Sequence, residues 1–253
     1  MSQENFTLLV WAWIVLAVLL VPVQLLLVAP YGRHTRKGWG PEMPNRLGWV
    51  VMELVSPLAL LLPFYWTGAP DSVAVTVFLA LWVAHYLNRS VIYPLATRTR
   101  GKTIPVMIVL SAIGFNAVNG WTNGYFLAQG WGGYGPDWLT DPRFLIGLGV
   151  FALGAGINIW ADRRLLRLRD RDGPQHYVIP QGGLFRRISC PNHFGEILEW
   201  TGFAIACWNL PAAAFAIWTA ANLGPRALAH HRWYRATFPD YPSDRTALLP
   251  YVL

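Results

Sequence analysis

Residues 7–29 read TLLVWAWIVLAVLLVPVQLLLVA, without one charged side chain. A helix needs roughly 20 mostly apolar residues to cross the hydrocarbon core of a bilayer, so this run is long enough to span one. Residues 47–66 repeat the pattern with Glu53 as their only charge, and 72–93 do so around a polar cluster from His85 to Arg89. Residues 104–127 carry Asn116, Asn119 and Asn123 inside an apolar stretch, and 144–161 form a shorter run with Asn158 near its end. The last apolar region, 194–228, is too long for one helix and is interrupted at Asn209-Leu210-Pro211. The sequence therefore predicts an all-α integral membrane protein, a bundle of seven transmembrane helices.

Composition agrees. The 253 residues are 54% hydrophobic and 13% charged, with a mean hydropathy of +0.33. Soluble domains carry about 25% charged residues, so lipid must solvate part of this surface. Fourteen tryptophans suit aromatic belts at membrane interfaces. The net charge of +7 would suggest nucleic acid in a soluble chain, but its distribution points elsewhere. Arg33, Arg36, Lys37 and Arg46 follow the first run, Arg98, Arg100 and Lys102 the third, and the connection after the fifth is the most basic. The tail adds Arg232, Arg235 and Arg245, whereas the intervening connections hold at most Arg143. That alternation places the N-terminus outside and the C-terminus in the cytoplasm, and it removes the case for a nucleic-acid partner. Met1–Phe6 lacks the basic start of a signal peptide, so the first run is expected to stay as a helix. Cys190 and Cys207 fit neither a disulfide framework nor a metal spacing. No repeat, linker or second domain is visible, so residues 1–253 read as one membrane-embedded domain, and no obligate protein partner is evident.

The polar stretch 158–199 carries the chemistry. It holds Asn158, Asp162, five arginines from Arg163 to Arg171, Tyr177, Arg186, Arg187, Asn192, His193, Glu196 and Glu199. Ionisable groups at membrane depth cost about 2.5–3.5 kcal/mol each on insertion scales, so a dense cluster beside apolar spans points to function. Guanidinium groups offer paired donors that match phosphate oxygens. The stretch reads as a cytoplasmic site for a phosphorylated cofactor at the mouth of a membrane bundle. Asp162 is expected at the C-terminal end of the fifth helix, where an acid opposes the dipole and calls for a specific partner such as a carboxamide or ribose hydroxyl. Glu196 and Glu199 are expected to open the sixth helix, where capping is a competing account.

Elsewhere, Glu53 lies about 10 Å inside the second run, where it is expected to hold its proton and so to be able to donate a hydrogen bond. A polar contact between helices is the alternative. His85 and Arg89 share a helix face, with Tyr86 turned about 100° away, and a snorkelling arginine beside a packed tyrosine explains them as well as function does. Adjacent His230 and His231 diverge around a helix with no third ligand evident, so no metal is expected. Gly147, Gly149, Gly154 and Gly156 mimic a dinucleotide fingerprint but lie in an apolar helix with no preceding strand, which favours close helix packing over a Rossmann unit.

Several motifs together resemble the steroid 5α-reductase family. They are Gly156-Ile157-Asn158-Ile159 with Asp162, the run Tyr177-Val178-Ile179-Pro180-Gln181-Gly182-Gly183-Leu184-Phe185, and Gly195-Glu196-Ile197-Leu198-Glu199-Trp200. Arg226-Ala227 with His230-His231-Arg232 and Tyr234 extend the match, as do Tyr31-Gly32-Arg33-His34-Thr35, Glu53, and His85-Tyr86 with Arg89 upstream. The resemblance covers nearly the whole chain and suggests a bacterial relative of the mammalian type 1 and type 2 enzymes. It implies NADPH-dependent reduction of the carbon–carbon double bond of 3-oxo-4-ene steroids. On that basis Glu53 and Tyr86 are the catalytic pair that holds the steroid carbonyl, with Trp49 lining the pocket. Asn158, Asp162, Arg169, Tyr177, Asn192, Glu196, Arg226, His230 and Tyr234 match cofactor-binding positions, with Tyr31 and Arg100 as further ones. The resemblance further divides the chain into mainly substrate-side helices over 1–128 and mainly cofactor-binding segments over 144–253. Met52 stands where the mammalian enzymes carry Gln, and His193 where they carry an aromatic.

Three other functions compete. The C-terminal half also distantly resembles membrane methyltransferases that use S-adenosylmethionine on lipid or isoprenylcysteine substrates, a reading that leaves Glu53 and Tyr86 without a role. A non-catalytic sterol-binding protein leaves the arginines unexplained. A reductase of another enone lipid keeps the same chemistry on a different substrate.

Overall fold

The computed structural model describes residues 1–68, 72–97, 101–172 and 177–249, and the backbone alone over 169–172. Seven long helices occur among them: α1 Gln3–Leu26, α2 Asn45–Thr67, α3 Val73–Ala96, α4 Val106–Ala128, α5 Pro142–Asp172, α6 Pro191–Cys207 and α7 Leu210–Thr237. A helix satisfies its own backbone polar groups, which is what a lipid environment demands. Among the described residues, four segments are long and apolar enough to cross a membrane: Gln3–Leu26, Asn45–Thr67, Val73–Ala96 and Pro142–Leu168. Their outer side chains are bare of protein, with Leu19 66% and Leu26 83% exposed, as expected of a surface solvated by lipid. The chain is an all-α, multi-pass membrane protein.

The contacts divide the chain into two units. One comprises residues 29–145 and 207–211. In it α2 packs along α4, because Gly120 and Gly124 present no side chain to the α2 backbone at Ser56 and Leu60. Gly48 makes similar room for Ile104 and Val109, which form a small core with Met52. The two stretches leading into α2 and α4 are laced by an antiparallel ribbon, β1 Glu42–Pro44 with β2 Thr103–Pro105, in register Met43 opposite Ile104. Thr103 donates its hydroxyl to Glu42, and Arg46 reaches the Thr97 carbonyl at 2.9 Å. Opposite these stretches along the helices, the Tyr134 hydroxyl donates to the Cys207 carbonyl and accepts from Asn209 Nδ2, both at 2.7 Å. Burial pushes that phenol well above its usual pKa. Beside it, hydrogen bonds from Arg143 hold the Asp141 carboxyl down at about 2.

The other unit comprises residues 1–28, 146–206 and 212–253. Trp13 of α1 and Trp218 of α7 lie ring to ring at 4.5 Å, and the Trp218 indole donates to the Trp13 carbonyl at 2.9 Å. Gln24, a polar group inside the apolar α1, finds the Ala221 carbonyl at 3.3 Å. Helices α5 and α6 approach almost backbone to backbone. Gly147 and Gly154 face the α6 main chain at Ala206 and Glu199, while Gly195 and Gly202 face that of α5 at Asn158 and Phe151. Two of the four glycines in the fingerprint-like run thus serve helix packing, and nothing lies within 4 Å of a side chain built at Gly149 or Gly156.

Two boundaries differ from those the sequence suggested. α5 continues to Asp172 instead of stopping at Ala161, because residues 157–172 contain no glycine or proline and are rich in Leu and Arg, good helix formers. Asp162 is therefore inside the helix, not at its C-terminus. α6 starts at Pro191, a residue pre-set for a first helical turn, so Glu196 lies beyond the capping positions. The break at Asn209-Leu210-Pro211 is present, and Trp208 turns the chain there with φ +48°.

Overpacking the α5–α6 contact should be costly. Gly154→Leu is expected to destabilise the detergent-purified protein by about 1–3 kcal/mol, whereas Gly149→Ala should leave thermal unfolding unchanged. Equal melting temperatures for the two variants would contradict the close approach.

Candidate active site

In the unit built on α2, α3 and α4, apolar helices deliver a group of polar side chains to one place. α3 carries His85 and Tyr86, 8% and 3% exposed, just before a π turn at Asn88–Ile92. π turns interrupt α-helices mostly at functional positions. Within this one, Ser90 donates its hydroxyl to the Tyr86 carbonyl at 2.5 Å. The Tyr86 ring stacks on Trp82 at 5.7 Å and meets the edge of His85 at 5.0 Å, while Trp82 donates to Ser56 at 3.1 Å. The Tyr86 hydroxyl donates to Asn116 Oδ1 at 3.3 Å, and Asn116 Nδ2 donates to the Met52 carbonyl at 2.7 Å. Glu53 follows Met52 on α2 and is half-buried, one turn from Trp49. Trp49 lies between Tyr31, 6.2 Å away edge to face, and the Arg89 guanidinium, 5.4 Å above its ring. Arg89 also lies 5.6 Å from the ring of Tyr93, so it stacks on aromatic faces instead of only snorkelling. Tyr31, Trp49, Glu53 and Tyr86 all belong to this unit, and Arg100 lies outside the described residues.

A second polar group forms where α5 meets α6. Because Gly154 and Gly195 bring the backbones together, Asn158 Nδ2 reaches the Asn192 carbonyl at 3.0 Å and Glu196 Oε2 at 3.3 Å. Asn192 Nδ2 in turn donates to Asp162 Oδ1 at 3.1 Å. Asn158 and Asp162 are 2% and 5% exposed, so both depend on these partners. On α7, Arg226 is buried and His230 lies 5.4 Å from His193, ring to ring. Tyr177 packs against Trp233 at 5.1 Å, and Tyr234 is buried beside the same indole at 5.3 Å. Arg169 lies on the last turns of α5, and its side chain is outside the described residues. This mixture of amide, carboxylate, imidazole and phenol groups can present both donors and acceptors, which suits carboxamide and hydroxyl groups of a ligand.

The C-terminal tail fastens this region. Thr246 bridges to Ile188, and Cys190 N donates to the Ala247 carbonyl at 3.1 Å. Arg245, 4% exposed, donates to the Pro180 carbonyl and to Gln181 Oε1, both at 2.9 Å. Ser189 Oγ lies 2.7 Å from His231 Nδ1 and 2.6 Å from the Tyr241 hydroxyl. The two adjacent histidines thus engage different neighbours.

Comparison with known proteins gives the chain a family. The model of the 3-oxo-5-alpha-steroid 4-dehydrogenase family matches residues 102–253. 3-oxo-5-alpha-steroid 4-dehydrogenase 1 of Macaca fascicularis is 42% identical over 88% of this chain and 84% of its own length. Steroid 5-alpha-reductase DET2 of Gossypium hirsutum is 41% identical over 89% of each chain, and 3-oxo-5-alpha-steroid 4-dehydrogenase 2 of Homo sapiens 42% identical over 88% and 87%. The chain belongs to the 3-oxo-5-alpha-steroid 4-dehydrogenase family. It is an oxidoreductase of that family.

Sequence reasoning gave no role to Asn116, Ser189, Tyr241 or Arg245 of this family member. Asn116 was visible only as a polar residue in an apolar run, and its partners lie 30 and 64 positions away. Arg245 looked like one more positive charge in a cytoplasmic tail.

Losing the Arg245 contacts should loosen the turn they hold. Arg245→Met keeps the bulk but leaves the Pro180 carbonyl without its donor, at a local cost of about 1–3 kcal/mol. Trypsin should then cut at exposed Arg186 and Arg187 roughly tenfold faster than in the parent protein. An unchanged cleavage rate would show that the tail does not restrain the turn.

Proposed function

We propose that this chain reduces the 4,5 double bond of 3-oxo-4-ene steroids with NADPH, by hydride addition to the enone β-carbon. Family membership over most of the chain carries this reading, and the buried Tyr86 hydroxyl in the same unit as Glu53 supports its chemistry. When bound, NADPH supplies the hydride.

The chain's own groups manage the charge that results. Hydride addition moves negative charge onto the steroid's carbonyl oxygen. Tyr86 and a protonated Glu53, on neighbouring helices, hydrogen-bond that oxygen and stabilise the developing enolate, where fixed donors in a dry site help most. Proton delivery to the α-carbon then restores the ketone. Trp49 and Tyr31 wall the apolar side, Tyr31 also being a cofactor-side position. Asn158, Asp162, Asn192 and Glu196 hold the carboxamide and ribose ends of the cofactor, with Tyr177, Arg226, His230 and Tyr234 around them. Arg169 and Arg100 take its phosphates.

In this reading residues 1–128 serve mainly the steroid and 144–253 mainly the cofactor, within a single reductase domain. All seven helices span the membrane. The N-terminus is outside, and the cofactor site and C-terminus face the cytoplasm across a bacterial inner membrane. The steroid enters from lipid.

Purified protein given NADPH and progesterone should yield a product two hydrogens heavier. Glu53→Ala should lower kcat roughly 100- to 1,000-fold, the usual loss for one oxyanion donor. Glu53→Gln, which keeps a donor, should lose less. Absence of the mass gain would overturn the reaction, and near-normal kcat in a folded Glu53→Ala enzyme would remove Glu53 from it.

A further inference from the structure

Asn116 lies in the middle of α4 and is 4% exposed, so both ends of its amide need partners within the protein. Nδ2 donates to the Met52 carbonyl at 2.7 Å, a short bond to a fixed backbone atom. That bond decides which end of the amide faces Tyr86: Oδ1, an acceptor. At 3.3 Å the bond from the Tyr86 hydroxyl exceeds the usual span for O–H···O contacts, about 2.5–3.0 Å. The amide is therefore anchored firmly at α2 and holds the phenol proton loosely at α3. Trp82 and His85 confine the Tyr86 ring itself.

We propose that Asn116 is a positioning residue: it sets the rotor of the Tyr86 hydroxyl and yields the proton to a substrate carbonyl. This rests on the reading that Tyr86 donates to that carbonyl. A ketone oxygen at ordinary hydrogen-bond distance outcompetes an amide oxygen at 3.3 Å. As hydride addition makes the ketone oxygen anionic, the preference widens, because charge-assisted hydrogen bonds are about twice as strong as neutral ones. The handover is thus favoured more in the transition state than in the bound ground state, which is the condition for accelerating the reaction. Asn116 undergoes no chemical change. Met52 contributes through its backbone carbonyl, so the residue takes part in orienting Tyr86 although its side chain offers no hydrogen-bond donor.

A double-mutant cycle separates this role from a simple tie between α4 and α2. Asn116→Leu should lower kcat for progesterone reduction by about tenfold or more, as loss of orientation commonly does, and leave the KM for NADPH unchanged. In a Tyr86→Phe background the same change should cost nothing further, because the proton it orients is gone. An equal loss in both backgrounds would overturn the proposal while leaving Tyr86 in its role. Full kcat in Tyr86→Phe alone would instead overturn the reading on which it rests. If Asn116→Leu fails to fold, Asn116→Asp supplies the test. Its carboxylate cannot donate to the Met52 carbonyl, but its protonated form can, so kcat should rise as pH falls, and only where Tyr86 is present. A pH profile parallel to that of the parent enzyme would contradict the proposal.

Discussion

Lipid offers no hydrogen bonds, so every polar group set inside an apolar helix must find its partner within the protein. Several side chains in both units do so. Ser56 takes the Trp82 indole, Asn123 reaches the Pro211 carbonyl at 3.3 Å, and Gln24 reaches Ala221. Most of these links tie one helix to another. Two places go further and gather several polar side chains: around Tyr86 and Asn116, and around Asn158, Asp162, Asn192 and Glu196. Their cost in an apolar setting is what makes them candidate sites.

Close helix approach makes both sites possible. Without a hydrophobic drive between helices in lipid, association depends on small residues that let backbones meet. Gly120 and Gly124 bring α4 against α2, which puts the Asn116 amide within reach of the Met52 carbonyl. Gly154 and Gly195 do the same for α5 and α6, which lets Asn158 bridge to the Asn192 carbonyl. Glycines that imitate a nucleotide-binding fingerprint in the sequence thus contribute to a polar site by a different physical route.

Much of the helical framework was legible in the sequence, because uncharged runs of membrane length have few alternatives. The break at Asn209 was legible too, since the apolar region around it is too long for one helix and a proline suits the first turn of a new one. What the sequence hid was of two kinds. The charge density of Arg163–Arg171 concealed the length of α5, since arginine favours helix as readily as it decorates loops. Long-range partners were also invisible: nothing near Asn116 in the chain announces Tyr86, and nothing near Arg245 announces Pro180. The ribbon of β1 and β2 escaped notice for the same reason, being three residues on each strand and joined across a long separation.

The central claim is that the reduced cofactor's hydride goes to the β-carbon of an enone whose oxygen is held by Tyr86 and Glu53. Isotope tracing tests it most directly. Progesterone would be reduced with NADPH carrying deuterium at the transferred position, and separately with unlabelled NADPH in deuterated water. The account predicts deuterium at C5 of the product in the first case and at C4 in the second. Cofactor deuterium at C4, or a product that carries none, would contradict it.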